Sequence, residues 1–107
     1  EALGMAMRAG ADPQVLQDIV NVSAGASRMF TDRAPRMLGA DFAPNATVGI
    51  FLKDLAIALD MARRHGAHTP VALAVRDVFR RAAEAYGSDL GDTGIFQLYR
   101  PEESGRV

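Results

Sequence analysis

Thr47-Val48-Gly49-Ile50-Phe51-Leu52-Lys53-Asp54-Leu55-Ala56-Ile57-Ala58-Leu59-Asp60-Met61-Ala62-Arg63-Arg64 is a run whose apolar residues return with the period of an α-helix. Val48, Phe51, Leu52, Leu55, Leu59 and Ala62 fall on one face, and Gly66 closes the run, so a long amphipathic helix is predicted from about Thr47 to Arg64. Downstream, Thr69-Pro70 is a second start signal. Val71, Leu73, Ala74, Val75, Val78, Phe79, Ala82, Ala83 and Tyr86 then form a broad apolar stripe that stops at Gly87. Asp92 is placed to cap a last short helix over residues 93–99, and residues 100–107 read as a flexible tail.

Upstream, Gly39-Ala40-Asp41-Phe42-Ala43-Pro44-Asn45 has the composition of a loop. Before it, Met29, Phe30, Ala34, Met37 and Leu38 carry helical spacing, with Pro35 expected to bend or interrupt the element. Asp12-Pro13 opens a shorter helix bearing Val15, Leu16, Ile19, Val20 and Val22, which should end near Ser23 to Gly25. The first nine residues are helix formers ended by Gly10, and they begin with no start signal, as if inside a longer interdomain helix. Strand alternation is absent throughout. The expectation is an all-α fold, a compact bundle of five to six helices with one core. Alanines crowd the two long helices, which suits close helix packing or a subunit interface.

Composition narrows function. Of the 107 residues 49% are hydrophobic and 23% charged, and the net charge is −1, which argues against a nucleic-acid-binding regulator or a polybasic membrane surface. There is no cysteine, hence no disulfide or thiolate metal site, and no apolar run of about 20 residues that could span a bilayer. A cytoplasmic protein without membrane or nucleic-acid partners is expected.

Eleven of the twelve basic residues are arginine, and Lys53 is the single lysine. On a helix it shares a face with Gly49, Ile50, Ala56, Ile57 and Asp60, so its ammonium is expected to rise, partly desolvated, from a small-residue apolar surface able to hold a ligand group. The alternatives are that it reaches solvent or pairs with Asp60 or Asp54. Ser23-Ala24-Gly25-Ala26-Ser27-Arg28 could cradle an anion, but a turn with Ser27 as helix cap is the favoured reading. His65 and His68 fall in a loop with no third ligand near in sequence, and Asp89 to Asp92 lacks calcium-loop spacing, so no metal site is expected. No local motif supports a Ser-His-Asp triad.

The succession Glu1-Ala2-Leu3, Ala9-Gly10-Ala11-Asp12, Ser23-Ala24-Gly25-Ala26-Ser27, Asp41-Phe42-Ala43-Pro44, Phe51-Leu52-Lys53-Asp54-Leu55, Thr69-Pro70-Val71, Gly87-Ser88-Asp89 and Asp92-Thr93 resembles the C-terminal domain of the β-hydroxyacid dehydrogenases. It is similar to the 3-hydroxyisobutyrate and threonate dehydrogenase-like branch, whose helical domain is of the 6-phosphogluconate dehydrogenase C-terminal type. The resemblance implies a two-domain oxidoreductase in which residues 1–99 form the helical domain that closes the cleft and makes subunit contacts in a homo-oligomer. A preceding Rossmann domain would bind NAD or NADP, and the substrate would be a small 3-hydroxy acid. No Gly-x-Gly-x-x-Gly occurs here, and the family's catalytic lysine would lie before Glu1, so the resemblance implies no catalytic residue in this chain. It casts Lys53 as the lysine that reaches the nicotinamide cofactor and Asp54 as a substrate-side residue, and it implies that the chain alone is inactive. The competing reading is a stand-alone helical dimerisation or interaction module without catalytic activity.

Overall fold

Short polar side chains start the helices where the sequence places them. The Asp12 carboxylate accepts from the backbone N–H of Gln14 at 2.8 Å and of Val15 at 3.2 Å, opening the helix Pro13–Asn21 with Pro13 at its first position. The Ser27 hydroxyl accepts from Phe30 N–H at 2.9 Å, and the Thr47 hydroxyl accepts from Ile50 N–H at 3.3 Å. Each satisfies one donor that a helix N-terminus leaves without an internal partner. Gly10, Gly66 and Gly87 end their helices with φ of +86°, +67° and +91°, the left-handed region that side chains with a Cβ rarely adopt.

The structure, a computed structural model, describes residues 1–102. Six helices follow in order: α1 Ala2–Arg8, α2 Pro13–Asn21, α3 Arg28–Leu38, α4 Val48–Arg64, α5 Pro70–Tyr86, and a 3₁₀ helix Asp92–Leu98. No strand occurs among the described residues, which bears out the all-α expectation; an isolated antiparallel bridge joins Thr47 and Gly91. Among the same residues no helix is long and apolar enough to cross a membrane. Most of the predicted tail, residues 103–107, lies outside the described residues.

Three expectations are adjusted. α3 runs through Pro35 without interruption, because the proline sits near the end of the helix and its missing N–H removes a single backbone bond. α2 ends at Asn21, a little before the predicted stop. At Thr69 the start of α5 is placed as read, yet its hydroxyl makes no capping bond.

By internal contacts the chain divides into two units, residues 42–95 and the remainder. In the unit formed by residues 1–41 and the segment from Phe96, the core is Leu3, Ala34 and Phe96, surrounded by Met7, Leu16, Phe30, Met37, Leu38 and Tyr99. Gly4 lies against Tyr99 so closely that an added Cβ would stand 2.8 Å from the tyrosine Cβ. In the unit of residues 42–95, α4 packs on α5 across the turn at residues 65–69. Phe51 and Phe79 stack there with ring centroids 5.1 Å apart. The face predicted for α4 is the one that packs: Val48 and Ala62 are buried, and Phe51, Leu52, Leu55 and Leu59 half-buried. The α5 stripe is only partly covered. Phe79 and Ala82 are buried, whereas Val71, Leu73, Ala74, Val75 and Tyr86 remain exposed, because one partner helix covers a narrower arc than the stripe spans.

Candidate site on the exposed face of helix α4

Burial of one face of α4 fixes what the other presents. Lys53 and Asp54 sit opposite the Val48, Leu52, Leu55 and Leu59 side, so both project away from α5. The Lys53 ammonium lies 3.3 Å from Asp54 Oδ1, and the two side chains are 65% and 62% exposed. Around them the helix shows Ile50, Ile57 and Met61, all exposed. Of the alternatives open from the sequence, the lysine pairs with Asp54. Asp60 is instead engaged by Arg63 at 2.8 Å and Arg64 at 2.7 Å. The small-residue apolar surface is therefore present, but this chain does not desolvate the amine.

The beginning of α4 is held by segments distant in sequence. Val48 N–H donates to the Leu90 carbonyl and Gly49 N–H to the Ser88 carbonyl, each at 2.8 Å, while Asp92 N–H donates to the Ala46 carbonyl at 2.8 Å. A Cβ on Gly49 would stand 3.1 Å from the Ser88 carbonyl oxygen, and a Cβ on Gly91 would press into the backbone of Phe42 and Ala43. The Phe42-Ala43, Gly87-Ser88-Asp89 and Asp92-Thr93 motifs, separate in the sequence, thus meet at one end of the helix that carries Lys53. Sequence order quoted each of them but gave no sign that they touch. With about 1.5 Å of rise per residue, Lys53 stands roughly 7.5 Å along the axis from Val48.

The other candidates resolve into local structure. Ser23 Oγ donates to the Val20 carbonyl at 2.9 Å and accepts from Gly25 N–H at 3.2 Å, and Ser27 caps α3, so both hydroxyls serve the turn. His65 caps the C-terminus of α4, His68 lies in the following turn, and both are exposed. Among the described residues no three His, Cys, Asp or Glu side chains come together to hold a metal. Asp89 lies against Gly87, and Arg80 and Arg81 are exposed on α5.

Comparison with known proteins adds the following. Residues 1–99 match the family described as NAD-binding of NADP-dependent 3-hydroxyisobutyrate dehydrogenase. The chain is 35% identical over 99 residues to the L-threonate dehydrogenase of Cupriavidus necator, covering 92% of this chain and 33% of that protein. It is 33% identical over 100 residues to the L-threonate dehydrogenase of Escherichia coli K12, with the same coverage. A crystal structure of 3-hydroxyisobutyrate dehydrogenase from Salmonella typhimurium superposes with a TM-score of 0.86 at 31% identity, covering 92% of this chain and 34% of that one. The chain therefore spans about a third of the length of the relatives it matches.

Proposed function

Because the chain belongs to the family of the NAD-binding domain of NADP-dependent 3-hydroxyisobutyrate dehydrogenase, we propose that residues 1–99 are the helical C-terminal domain of an NAD(P)-dependent 3-hydroxyacid dehydrogenase. A Rossmann domain outside this chain is its partner, and the substrate is a small 3-hydroxy acid such as 3-hydroxyisobutyrate or threonate. The family match over nearly the whole chain carries this reading, and the exposed ammonium of Lys53 is where it becomes specific to residues.

The α4 surface fits a nicotinamide cofactor. An ammonium has three N–H donors, and Asp54 engages Lys53 through a single exposed pair, leaving donors for an amide or ribose oxygen. Ile50 and Ile57 beside it offer aliphatic surface against which a flat ring can lie. When bound, the cofactor supplies hydride acceptance and return at the hydroxyl-bearing carbon of the substrate. Lys53 contributes binding and orientation, strengthened once a covering domain excludes water from the amine. Asp54 holds the ammonium over the helix and faces the substrate side. No residue of this chain takes the substrate proton. The exposed Ile50, Ile57, Met61, Val71 and Val75 support burial of these helices against the other domain or a second subunit in a homo-oligomer.

The test is turnover of 3-hydroxyisobutyrate and L-threonate with NAD and with NADP, comparing this chain with the longer protein that contains it. The longer protein should reduce cofactor and this chain should not. Lys53→Gln should lower kcat/KM at least about tenfold, chiefly through cofactor KM, while the melting temperature stays put, since an exposed pair contributes about 0–1 kcal/mol to stability. A longer protein inactive on every 3-hydroxy acid, or a Lys53→Gln variant with unchanged kinetics, overturns the assignment and favours a helical interaction module.

A further inference from the structure

A groove of about 490 Å³ lies where α4 ends and α5 begins, within the unit of residues 42–95 and independent of the Lys53 surface. Leu59 and Leu73 line it together with Asp60 and Arg63 from the last turns of α4 and Arg76 from the second turn of α5, and Ala67, His68 and Thr69 of the turn complete it. Two guanidinium groups and one carboxylate line the groove: Asp60 is engaged by Arg63 and, from outside the lining, by Arg64, while Arg76 pairs with Asp77, which also lies outside the lining.

The donors are incompletely used. Arg76 directs both Nε, at 3.2 Å, and Nη2, at 3.1 Å, to the same Asp77 oxygen, leaving Nη1 over, although its side chain is only 31% exposed. Arg63 reaches Asp60 through Nη2 alone. The Thr69 hydroxyl, half-buried in the wall, caps nothing. A guanidinium carries five N–H donors, more than one carboxylate partner uses, and here two guanidiniums from different helices line one groove together with leucine side chains. We infer that this groove binds a small aliphatic carboxylate, its carboxylate oxygens on Arg63 and Arg76 and its carbon chain on Leu59 and Leu73. A ligand with charge but no carbon body would forgo the leucine contacts, and a neutral one would forgo charge-assisted bonds to the remaining guanidinium donors.

The probe is succinate, titrated into the chain while backbone amide shifts are followed by NMR, with inorganic phosphate in a parallel arm. Saturating shifts at Ala67, His68, Thr69 and Leu73 are expected, with phosphate binding at least about tenfold more weakly. Arg76→Gln should weaken succinate about tenfold or more, because it removes one charge-assisted fork. Arg63→Gln, at a side chain 76% exposed and so without consequence for folding, should do the same. Arg80→Gln, outside the groove, should change nothing. Shifts that stay linear with concentration, equal binding of phosphate, or succinate affinity unaltered in Arg63→Gln overturns the proposal. Since this readout involves neither cofactor nor turnover, its failure is distinguishable from failure of the dehydrogenase reading.

Discussion

Replacing Phe79 by alanine removes the side chain on which the α4–α5 pair depends, and the structure sets the size of the effect. Phe79 is 8% exposed, and its ring stacks on that of Phe51 at 5.1 Å. Truncation of a buried phenylalanine costs about 3–5 kcal/mol through lost transfer energy and the cavity left behind. A domain of this length is stable by about 5–15 kcal/mol, so the loss is a large share of the total. At about 4–8 °C per kcal/mol, the melting temperature should fall by roughly 12–40 °C. Far-ultraviolet circular dichroism followed through a thermal ramp measures this directly. Ile57→Ala is the matched control: it removes an aliphatic side chain from the same helix pair, but Ile57 is 63% exposed, and its loss should cost under about 1 kcal/mol. Adding Phe51→Ala to Phe79→Ala closes a double-mutant cycle whose coupling should be about 0.5–1.5 kcal/mol for a stacked pair. If Phe79→Ala lowers stability by less than about 1 kcal/mol, or no more than Ile57→Ala, the packing of α4 on α5 described above is wrong. The orientation of Lys53 falls with it, because that lysine faces outward only while the opposite side of α4 is buried.

Further outcomes follow from local geometry. Ser27→Ala and Thr47→Ala each remove a hydroxyl that accepts from a helix N-terminal amide, so each should cost about 1 kcal/mol by urea denaturation, whereas Thr69→Ala, at a hydroxyl with no capping bond, should be near neutral. Gly4→Ala drives a methyl into Tyr99 and should cost about 1–3 kcal/mol, visible as a lowered denaturation midpoint. Ala40 holds φ of +54° without being glycine, so Ala40→Gly should raise stability by up to about 1 kcal/mol, seen as a higher midpoint; a fall would contradict the left-handed turn there.

Much of the fold was legible because its signals are local. A cap such as Asp12, Ser27 or Thr47 bonds to an amide two or three residues away, and a glycine stop needs only its own φ, so the positions of five helices could be read nearly to the residue. Thr69 shows the limit of that rule: the residue type marked the start, but whether its hydroxyl turns to the helix depends on a backbone angle that composition does not set. Pro35 shows it again, since the cost of a proline depends on how near it lies to a helix end. The candidate site was legible in identity and less so in environment. Lys53 stood out as the single lysine on a small-residue face, but its pairing with Asp54 rather than Asp60, and its open exposure, are set by the folded structure.

Periodicity and punctuation by themselves determined that this chain is helical, where its helices begin, where most of them end, and which side of α4 turns inward. Tertiary structure alone decided which part of the wide α5 stripe is covered, that Ser88 and Leu90 carbonyls complete the start of α4, and that Arg63 and Arg76 face one groove. The physical reason is range. Helix bonds and caps join residues within about four positions of each other and are written in order along the chain, whereas burial and convergence of charge depend on where a second helix comes to lie.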